Sequence, residues 1–236
     1  MKTLAIITAR GGSKRLPRKN IKLFNGLPII AYPIRAAIES ELFDEVMVST
    51  DDPEIAAVAK TFGASVPFMR SAETAGDYAT TAEVIIEVME CYESKLGKHF
   101  DTICCMYPTA PFSTPQLLRL AHEKLQNEQF DCVVPVQAFD YPIQRALIME
   151  EGRIQMRSPE FATTRSQDLT ETYHDSGQFY WLRSQKFRQT QSVWGDNTGA
   201  ICLSRMEAHD IDTADDWHLA ELKFKLQHEA FDRIQS

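Results

Sequence analysis

The sequence predicts an α/β fold with a mainly parallel sheet covered by helices on both faces. Short apolar runs typical of buried strands alternate with segments of helical spacing from the N-terminus to about residue 136. Such short-interval alternation is the pattern of strands joined by crossover helices. The 44% hydrophobic and 25% charged content is ordinary for a globular protein, and 236 residues suit one domain.

Each element follows from a local pattern in the chain. Residues 4–8 form a short apolar run that predicts the first strand, and residues 28–40 have apolar side chains at helical spacing. Pro53 fits the first turn of a helix over 52–62, and Gly63 fits its end. Further strands are predicted over 45–50, 65–68, 102–107, 131–136, 178–183 and 200–203, and further helices over 81–96, 114–126 and 213–229.

The alternation stops after residue 136. Residues 137–176 are rich in Gln, Arg, Glu and Pro, and a hairpin is predicted around Glu150-Glu-Gly152. A segment of this length and character is typical of an excursion from the sheet. We therefore expect one domain over residues 1–236, with 137–176 inserted in it as an active-site lid or a dimerisation arm.

Charge is distributed unevenly along the chain. The first 22 residues contain seven basic side chains and no acidic one, although the whole chain has a formal net charge of −8. A nucleic-acid-binding protein would usually be basic over much of one face, so this composition argues against a nucleic-acid partner. A basic start on an acidic protein instead indicates one local anion site.

The sequence shows no sign of a targeting or membrane segment. Its first apolar run is too short for a secretory core, and no stretch approaches the roughly 18 apolar residues that span a bilayer. The five cysteines include no C-x-x-C pair and mostly lie in apolar runs, which favours buried thiols over disulfides or a zinc site. We expect a soluble, cytoplasmic protein.

A basic loop with two adjacent glycines, residues 9–20, directly follows the first predicted strand. Gly11 and Gly12 allow close approach of the backbone, so main-chain amides can point at phosphate oxygens. The loop matches neither the Walker sequence nor the dinucleotide G-x-G-x-x-G sequence, which disfavours P-loop ATPases and typical NAD enzymes. A solvated basic surface loop is the alternative. The candidate triphosphate ligands are Arg10, Ser13, Lys14 and Arg18.

Two carboxylates lie near the end of the chain. Asp210 and Asp212 follow the last predicted strand, and in extended backbone residues i and i+2 point the same way. Paired hard oxygens beside phosphates suit Mg²⁺, which neutralises charge on a pyrophosphate leaving group. Alternatively, Thr213 and Asp216 form a capping box, and Asp212 merely stabilises the start of the last helix.

Four segments together resemble the acylneuraminate cytidylyltransferases, which activate sialic-acid-like nine-carbon sugars with CTP. Residues 7–21 (ITARGGSKRLPRKNI) are similar to the family's signature loop, and 49–52 (STDD), 107–111 (YPTAP) and 210–212 (DID) recur at matching places. The resemblance spans essentially the whole chain. It implies a three-layer, Rossmann-like fold of the nucleotide-diphospho-sugar transferase type. It also implies a reaction in which CTP and a free sugar acid give a CMP-sugar and pyrophosphate.

The resemblance further implies roles for individual residues. Arg10 and Lys14 are expected to be catalytic together with Asp210 and Asp212, and the two aspartates are expected to hold Mg²⁺. The implied nucleotide-binding residues are Ala9, Arg10, Gly11, Ser13, Lys14, Asn20, Arg70, Pro108 and Thr109. No general base is implied, since a metal-assisted hydroxyl suffices for the attack.

Within the family, segments 142–146 (PIQRA), 164–168 (TRSQD) and 173–180 (YHDSGQFY) resemble the branch that acts on pseudaminic acid. Thr8 stands where a proline is common, and Tyr107 stands where sialic acid enzymes have glutamine, which fits the pseudaminic acid branch better. The excursion resembles an arm that packs on a second subunit, so a homodimer is expected. The expected sugar-binding residues are Gln144, Arg145, Arg165, Gln167 and His174.

Several alternatives stay open from the sequence. The sugar can instead be sialic, legionaminic or 3-deoxy-manno-octulosonic acid. A glycosyltransferase of related fold and a non-catalytic nucleotide-binding regulator are the other function classes. Arg145 and Arg165 can equally form salt bridges inside the excursion, and His174 beside Asp175 can be structural.

Overall fold

A computed structural model describes residues 1–235 of the chain, with side chains over residues 1–227. Its strands are β1 (Thr3–Thr8), β2 (Leu23–Phe24), β3 (Leu27–Pro28), β4 (Glu45–Ser49), β5 (Thr102–Met106), β6 (Cys132–Ala138), β7 (Leu147–Glu150), β8 (Arg153–Met156), β9 (Tyr173–Asp175), β10 (Phe179–Arg183) and β11 (Thr198–Leu203). Its α-helices are α1 (Ala31–Ser40), α2 (Pro53–Thr61), α3 (Ala72–Ala75), α4 (Thr81–Leu96), α5 (Pro115–Asn127), α6 (Ser184–Thr190) and α7 (Ala214–Gln235).

Over the described residues the main sheet is mixed but mainly parallel. Its strand order is β11-β6-β10-β5-β1-β4, and β9 pairs with the end of β6. Strand β10 runs antiparallel between β5 and β6, while β1 is parallel to both β4 and β5, and β11 is parallel to β6. The carboxyl ends of the parallel strands therefore meet at one edge of the sheet, and the amino end of β10 joins them there.

Helices cover both faces of this sheet because side chains alternate along each strand. Ala5 and Ile7 of β1 belong to the apolar layer that also contains side chains of α1, α2 and α5. Leu4 and Ile6 face the other layer, with α4 and α6. The helix ends follow the local sequence signals. Thr80 and Glu83 form a capping box at the start of α4, and Gly97 ends that helix in the left-handed conformation.

Two predicted elements differ from the structure. The segment over 65–68 is not a strand: Ser65 makes one isolated bridge to Met47, and the chain then leaves the sheet. The first helix begins at Ala31 rather than at residue 28, because Leu27 and Pro28 pair with β2 in a small hairpin. The short helices α3 and α6 and the strands β2, β3 and β9 were not predicted, since each is too short to show a periodic pattern.

Residues between β6 and β9 leave the main sheet. The hairpin predicted around residues 150–152 is confirmed, since Glu150 pairs with Arg153 in the β7–β8 hairpin. Met149 pairs with Ile154, and Leu147 lies two residues before Met149, so all three side chains lie on one face of the hairpin. Their exposed fractions are 61% for Leu147, 69% for Met149 and 58% for Ile154. The hairpin thus presents an apolar face to solvent.

A third apolar cluster fixes the C-terminal helix beside the basic loop. Leu16 of the loop and Ile211 pack with Phe24 and with Trp217 of α7. The ring of Phe24 meets that of Trp217 edge to face at 5.6 Å. None of the described helices is both long and apolar enough to cross a membrane.

Candidate active site

Three neighbouring cavities lie where the strands β1, β4 and β5 end. The loop cavity is lined by Thr8, Arg10, Ser13, Lys14, Arg15, Leu16, Lys19, Asn20, Tyr107, Pro108, Thr109 and Asp212. The carboxylate cavity is lined by Lys19, Tyr107, Thr109, Asp175, Gly177, Asp210 and Asp212. The Arg70 cavity is lined by Thr8, Arg10, Arg70, Thr74, Gly76, Asp77, Ala79, Thr81, Val84 and Tyr107. Tyr107 lines all three, so the cavities adjoin around its side chain.

The backbone of the basic loop is held by its neighbours. Ala9 is buried and donates its amide to the carbonyl of Ser49 at 2.9 Å, while the Gly11 amide donates to Asp51 Oδ1 at 2.8 Å. A Cβ at Gly11 would lie 2.9 Å from Asp52 Oδ2, so glycine is required by this contact. Both amides are engaged within the fold, and neither residue lines the loop cavity.

Asn20 acts as a clamp on the same loop. Its side chain is 4% exposed and donates from Nδ2 to the carbonyl oxygen of Arg10 at 2.8 Å. This bond closes the loop between its start and its end and fixes where the Arg10 side chain leaves the backbone. The Ser13 side chain lines the loop cavity beside it.

Arg10 and Lys14 share one acidic partner. Arg10 Nη1 lies 2.9 Å from Asp77 Oδ1, and Lys14 Nζ pairs with the other oxygen of the same carboxylate. Arg10 also donates to the carbonyl of Gly76 at 3.2 Å. Lys14, and then Arg10, lower the pKa of Asp77. Asp77 therefore provides the negative charge that these two cations face.

The remaining cations of the loop pair with other carboxylates. Arg18, expected to be a triphosphate ligand, pairs instead with Asp52 and Glu54 at the start of α2. Arg15 Nη2 and Lys19 Nζ lie 2.9 and 3.5 Å from Asp212 Oδ1. Neither Arg15 nor Lys19 was predicted as a ligand. The available signal was their place in the signature loop, where each directly follows a predicted ligand, Lys14 or Arg18.

Arg70 is held rigidly at the wall of its cavity. It is 8% exposed and donates from Nε to Ser49 Oγ at 3.0 Å and from Nη2 to the Ser49 carbonyl at 2.7 Å. Burial lowers the pKa of its guanidinium. Pro108 and Thr109 follow β5 directly and line the loop cavity, and Thr109 also lines the carboxylate cavity.

Asp210 and Asp212 line the same cavity, as the alternation of extended backbone predicts. Burial raises the pKa of Asp210, and the charge of Asp212 raises it further. Gly177, at a φ of +66°, packs so closely that an added Cβ would lie 3.3 Å from Asp210 Oδ1. The carboxylate that caps the start of the last helix is Asp216: it accepts the Thr213 amide, and its own amide donates to Thr213 Oγ1 in a capping box.

The donor set of this cavity fits a divalent cation that is also bound by a substrate. Two carboxylates with mutually repelling charge and hard oxygens suit Mg²⁺. Over the described residues, no group of three or more His, Cys, Asp or Glu side chains is arranged to hold a metal. Phosphate oxygens and water would have to supply the remaining ligands.

The five expected sugar-binding residues lie apart from these cavities within one chain. Gln144 donates to the carbonyl of Thr170 at 2.9 Å, and Arg145 to that of Thr164 at 3.1 Å. Arg165 pairs with Asp168 at 2.7 Å, the salt bridge weighed as its alternative role. Gln167 is exposed. His174 contacts the backbone carbonyl of Asp175 at 2.8 Å rather than its carboxylate.

Residues 4–222 of the chain match the family described as cytidylyltransferase. The chain belongs to the cytidylyltransferase family. This confirms the resemblance stated from the signature loop. CTP-dependent synthesis of a CMP-sugar is the activity that the family and the named relatives support for this cytidylyltransferase.

Relatives match the cytidylyltransferase along nearly its full length. The pseudaminic acid cytidylyltransferase of Campylobacter jejuni subsp. jejuni serotype O:2 is 40% identical over 231 residues, which cover 98% of this chain and 99% of that protein. The CMP-N,N'-diacetyllegionaminic acid synthase of Legionella pneumophila subsp. pneumophila is 34% identical over 235 residues, with 98% and 99% covered.

Solved structures show the fold of the cytidylyltransferase. The structure of CMP:2-keto-3-deoxy-manno-octonic acid synthetase complexed with CTP has a TM-score of 0.68 at 17% identity, and covers 97% of this chain and 100% of that one. The 4-diphosphocytidyl-2C-methyl-D-erythritol synthase of Anaerococcus prevotii has a TM-score of 0.62 at 12% identity, with 95% and 98% covered. The expected three-layer, Rossmann-like nucleotidyltransferase fold is confirmed.

Proposed function

We propose that this cytidylyltransferase transfers the cytidylyl group of CTP to pseudaminic acid. The anomeric hydroxyl oxygen of the sugar attacks the α-phosphorus and gives up its proton to solvent. The bond from that phosphorus to the oxygen bridging it to the β-phosphorus breaks, and pyrophosphate leaves with that oxygen. The observation that carries the proposal is the loop cavity, where four basic side chains after β1 line a space that adjoins the Asp210 and Asp212 carboxylates. Such transfer depends on alignment and charge neutralisation.

The loop cavity is proposed to hold the triphosphate. Arg10 and Lys14 exchange the Asp77 carboxylate for phosphate oxygens, and Ser13 donates its hydroxyl there. Asn20 keeps Arg10 in place through the backbone. Ala9 and Gly11 contribute by shaping the loop, because their own amides are already bonded. Pro108 and Thr109 line the cavity from the β5 side.

The Arg70 cavity is proposed to hold the nucleoside. It adjoins the loop cavity through Thr8, Arg10 and Tyr107, which suits one ligand that extends from one cavity into the other. Arg70 is fixed by two hydrogen bonds to Ser49, so it offers its remaining N–H groups without losing much side-chain freedom.

Asp210 and Asp212 are proposed to hold Mg²⁺ together with the phosphates. When bound, the ion would neutralise negative charge that develops on the departing pyrophosphate. Binding at Asp212 would also release Arg15 and Lys19, which pair with that carboxylate.

Residues 137–176 are proposed to be a dimerisation arm inserted in a single domain of residues 1–236. The apolar hairpin face formed by Leu147, Met149 and Ile154 is largely exposed, which suits burial against a second copy. The five sugar-binding residues lie on this arm and outside the cavities of their own chain. In the proposed homodimer they reach the carboxylate cavity of the partner subunit.

A cytoplasmic location is also proposed. All five cysteines are free thiols, and three of them, Cys104, Cys105 and Cys132, are buried in the sheet. Free thiols are typical of reducing compartments.

A pyrophosphate-release assay tests the proposed function. With CTP, we expect pseudaminic acid to give pyrophosphate and a CMP-sugar, and sialic, legionaminic and octulosonic acids to react more slowly. If legionaminic acid is turned over faster than pseudaminic acid, the substrate is instead a sugar of the kind named for the Legionella pneumophila relative. A glycosyltransferase would release no pyrophosphate from CTP and free sugar, and a regulator would bind CTP without turnover.

A further inference from the structure

Asp175 lines the carboxylate cavity but has a different set of partners from the other two carboxylates there. Its Oδ1 accepts the amide of Gly177 at 2.9 Å, and its Oδ2 accepts the hydroxyl of Tyr180. Asp212, in contrast, is paired with the cations Arg15 and Lys19. The carboxylate of Asp175 is thus oriented by neutral donors, and no cation among the side chains described over residues 1–227 pairs with it.

Tyr180 holds this carboxylate from the core of the protein. It is 3% exposed, and its hydroxyl lies 3.4 Å from that of Tyr107, which in turn lies 3.4 Å from Thr81 Oγ1. The two tyrosine rings meet edge to face at 5.8 Å. Burial raises the pKa of both tyrosines, so both hydroxyls keep their protons and can donate.

The carboxylate still has capacity for a ligand. Each carboxylate oxygen can accept about two hydrogen bonds. Each oxygen of Asp175 accepts one bond from the fold, so each can accept another from a group in the cavity. Strand β9 pairs with the end of β6, where Asp175 stands opposite Val136, and this pairing fixes its backbone at the cavity wall.

The cavity is placed for the acceptor sugar. The loop cavity and the Arg70 cavity account for the phosphates and the nucleoside of CTP under the proposed function. The carboxylate cavity shares Lys19, Thr109 and Asp212 with the loop cavity, and so borders the reacting phosphate from another side. A sugar acid there carries hydroxyl and acetamido N–H groups, which need acceptors.

We propose that Asp175 is a sugar-recognition residue whose carboxylate, oriented by Tyr180 and the Gly177 amide, accepts a hydrogen bond from a hydroxyl or acetamido N–H group of the sugar acid. This inference rests on the proposed function and adds a specificity-determining residue to it. The arm residues then recognise other groups of the sugar.

The test is steady-state kinetics of Asp175→Asn with CTP and pseudaminic acid. The amide keeps the shape and one acceptor oxygen for the fold, but it loses the charge. Losing a hydrogen bond to a charged group raises the KM for the sugar about tenfold or more. Asp175 does not line the loop cavity, so its substitution removes no hydrogen bond to the triphosphate. The KM for CTP should therefore change less than about twofold. Asp196→Asn, in an exposed loop, is the matched control.

Tyr180→Phe keeps the ring and removes the hydroxyl that orients the carboxylate. It should raise the KM for the sugar by a smaller factor, again without a matching change for CTP. A folded Asp175→Asn with an unchanged KM for the sugar overturns the inference, as does an equal rise in both KM values. If the wild-type protein releases no pyrophosphate with any sugar acid, the proposed function fails, and the inference fails with it.

Discussion

At the scale of single residues, Asp77 would be the main competitor of the nucleotide in the proposed site. It pairs with both Arg10 and Lys14, although it lies 67 and 63 residues from them along the chain. Both cations are partly exposed, so the pairs are weak and an incoming triphosphate can replace them. In the proposed site, Asp77 would therefore oppose the binding of both side chains to phosphate.

Asp77→Asn is therefore expected to tighten CTP binding. Removing a partly exposed acidic partner should lower the Kd for CTP by about two- to fivefold, as measured by calorimetry without sugar. Glu73→Gln, on the neighbouring exposed turn, removes the same charge away from the cations and should leave the Kd unchanged. A weaker affinity in Asp77→Asn would show that the carboxylate aids nucleotide binding.

Asp212 is expected to be required for turnover but not for folding. Asp212→Ala removes half of the proposed cation-binding pair, while the capping box of Thr213 and Asp216 stays intact. We expect kcat with Mg²⁺ to fall by about 100-fold or more, and the unfolding midpoint to stay close to the wild-type value. Asp215→Ala, in the first turn of α7, is the control. A wild-type rate in Asp212→Ala would contradict the metal assignment.

At the scale of elements, local signals located the long helices and the strands that support the site. The strands that end at residues 8, 49 and 106 match the predicted runs to within one residue at each end, because each is a continuous apolar segment with clear boundaries. The segment over 65–68 resembled them in composition, but Ser65 makes a single bridge because no neighbouring strand pairs with the rest. Pairing depends on the partner, which composition does not reveal.

The proposed dimerisation arm, residues 137–176, can be tested at its apolar hairpin face. Leu147→Asp combined with Met149→Asp places two charges on this exposed face and should convert the proposed homodimer to a monomer in light scattering. We expect sugar turnover to be lost and CTP binding to be kept. The control pair, Leu147→Met with Met149→Leu, keeps the face apolar and should stay dimeric. A charged variant that remains a dimer with full turnover would contradict the proposed arm.

At the scale of the whole molecule, one carboxylate links the edge of the sheet to the helix layer. Glu45 of β4 accepts hydrogen bonds from Ser65 Oγ at 2.9 Å, Tyr92 of α4 at 2.8 Å and Lys98 at 2.7 Å. Burial alone would raise the pKa of Glu45, but the bonds from Lys98, Tyr92 and Ser65 outweigh it and lower the pKa. The folded state therefore favours the ionised form more than the unfolded state does.

Glu45→Gln should consequently lower the free energy of unfolding by about 1–2 kcal/mol at pH 7. Because the pKa is lower in the folded state, this stabilisation is complete above the unfolded pKa and is lost as pH falls through the folded pKa. The difference between wild type and variant, measured by chemical denaturation, should narrow in acid. Glu90→Gln, exposed on α4, is the control. A difference that stays constant in acid would contradict the role of the carboxylate.

The sequence by itself determined the fold class, the basic loop and the Asp210–Asp212 pair, because these depend on residues that are close along the chain. Only the tertiary structure decided which charges meet: Asp77 on Arg10 and Lys14, and Arg15 and Lys19 on Asp212. It also placed Asp175 in the carboxylate cavity, through the antiparallel return of β9 and β10. These contacts join residues that are far apart along the chain. They depend on strand order and loop packing, so no local sequence pattern predicts them.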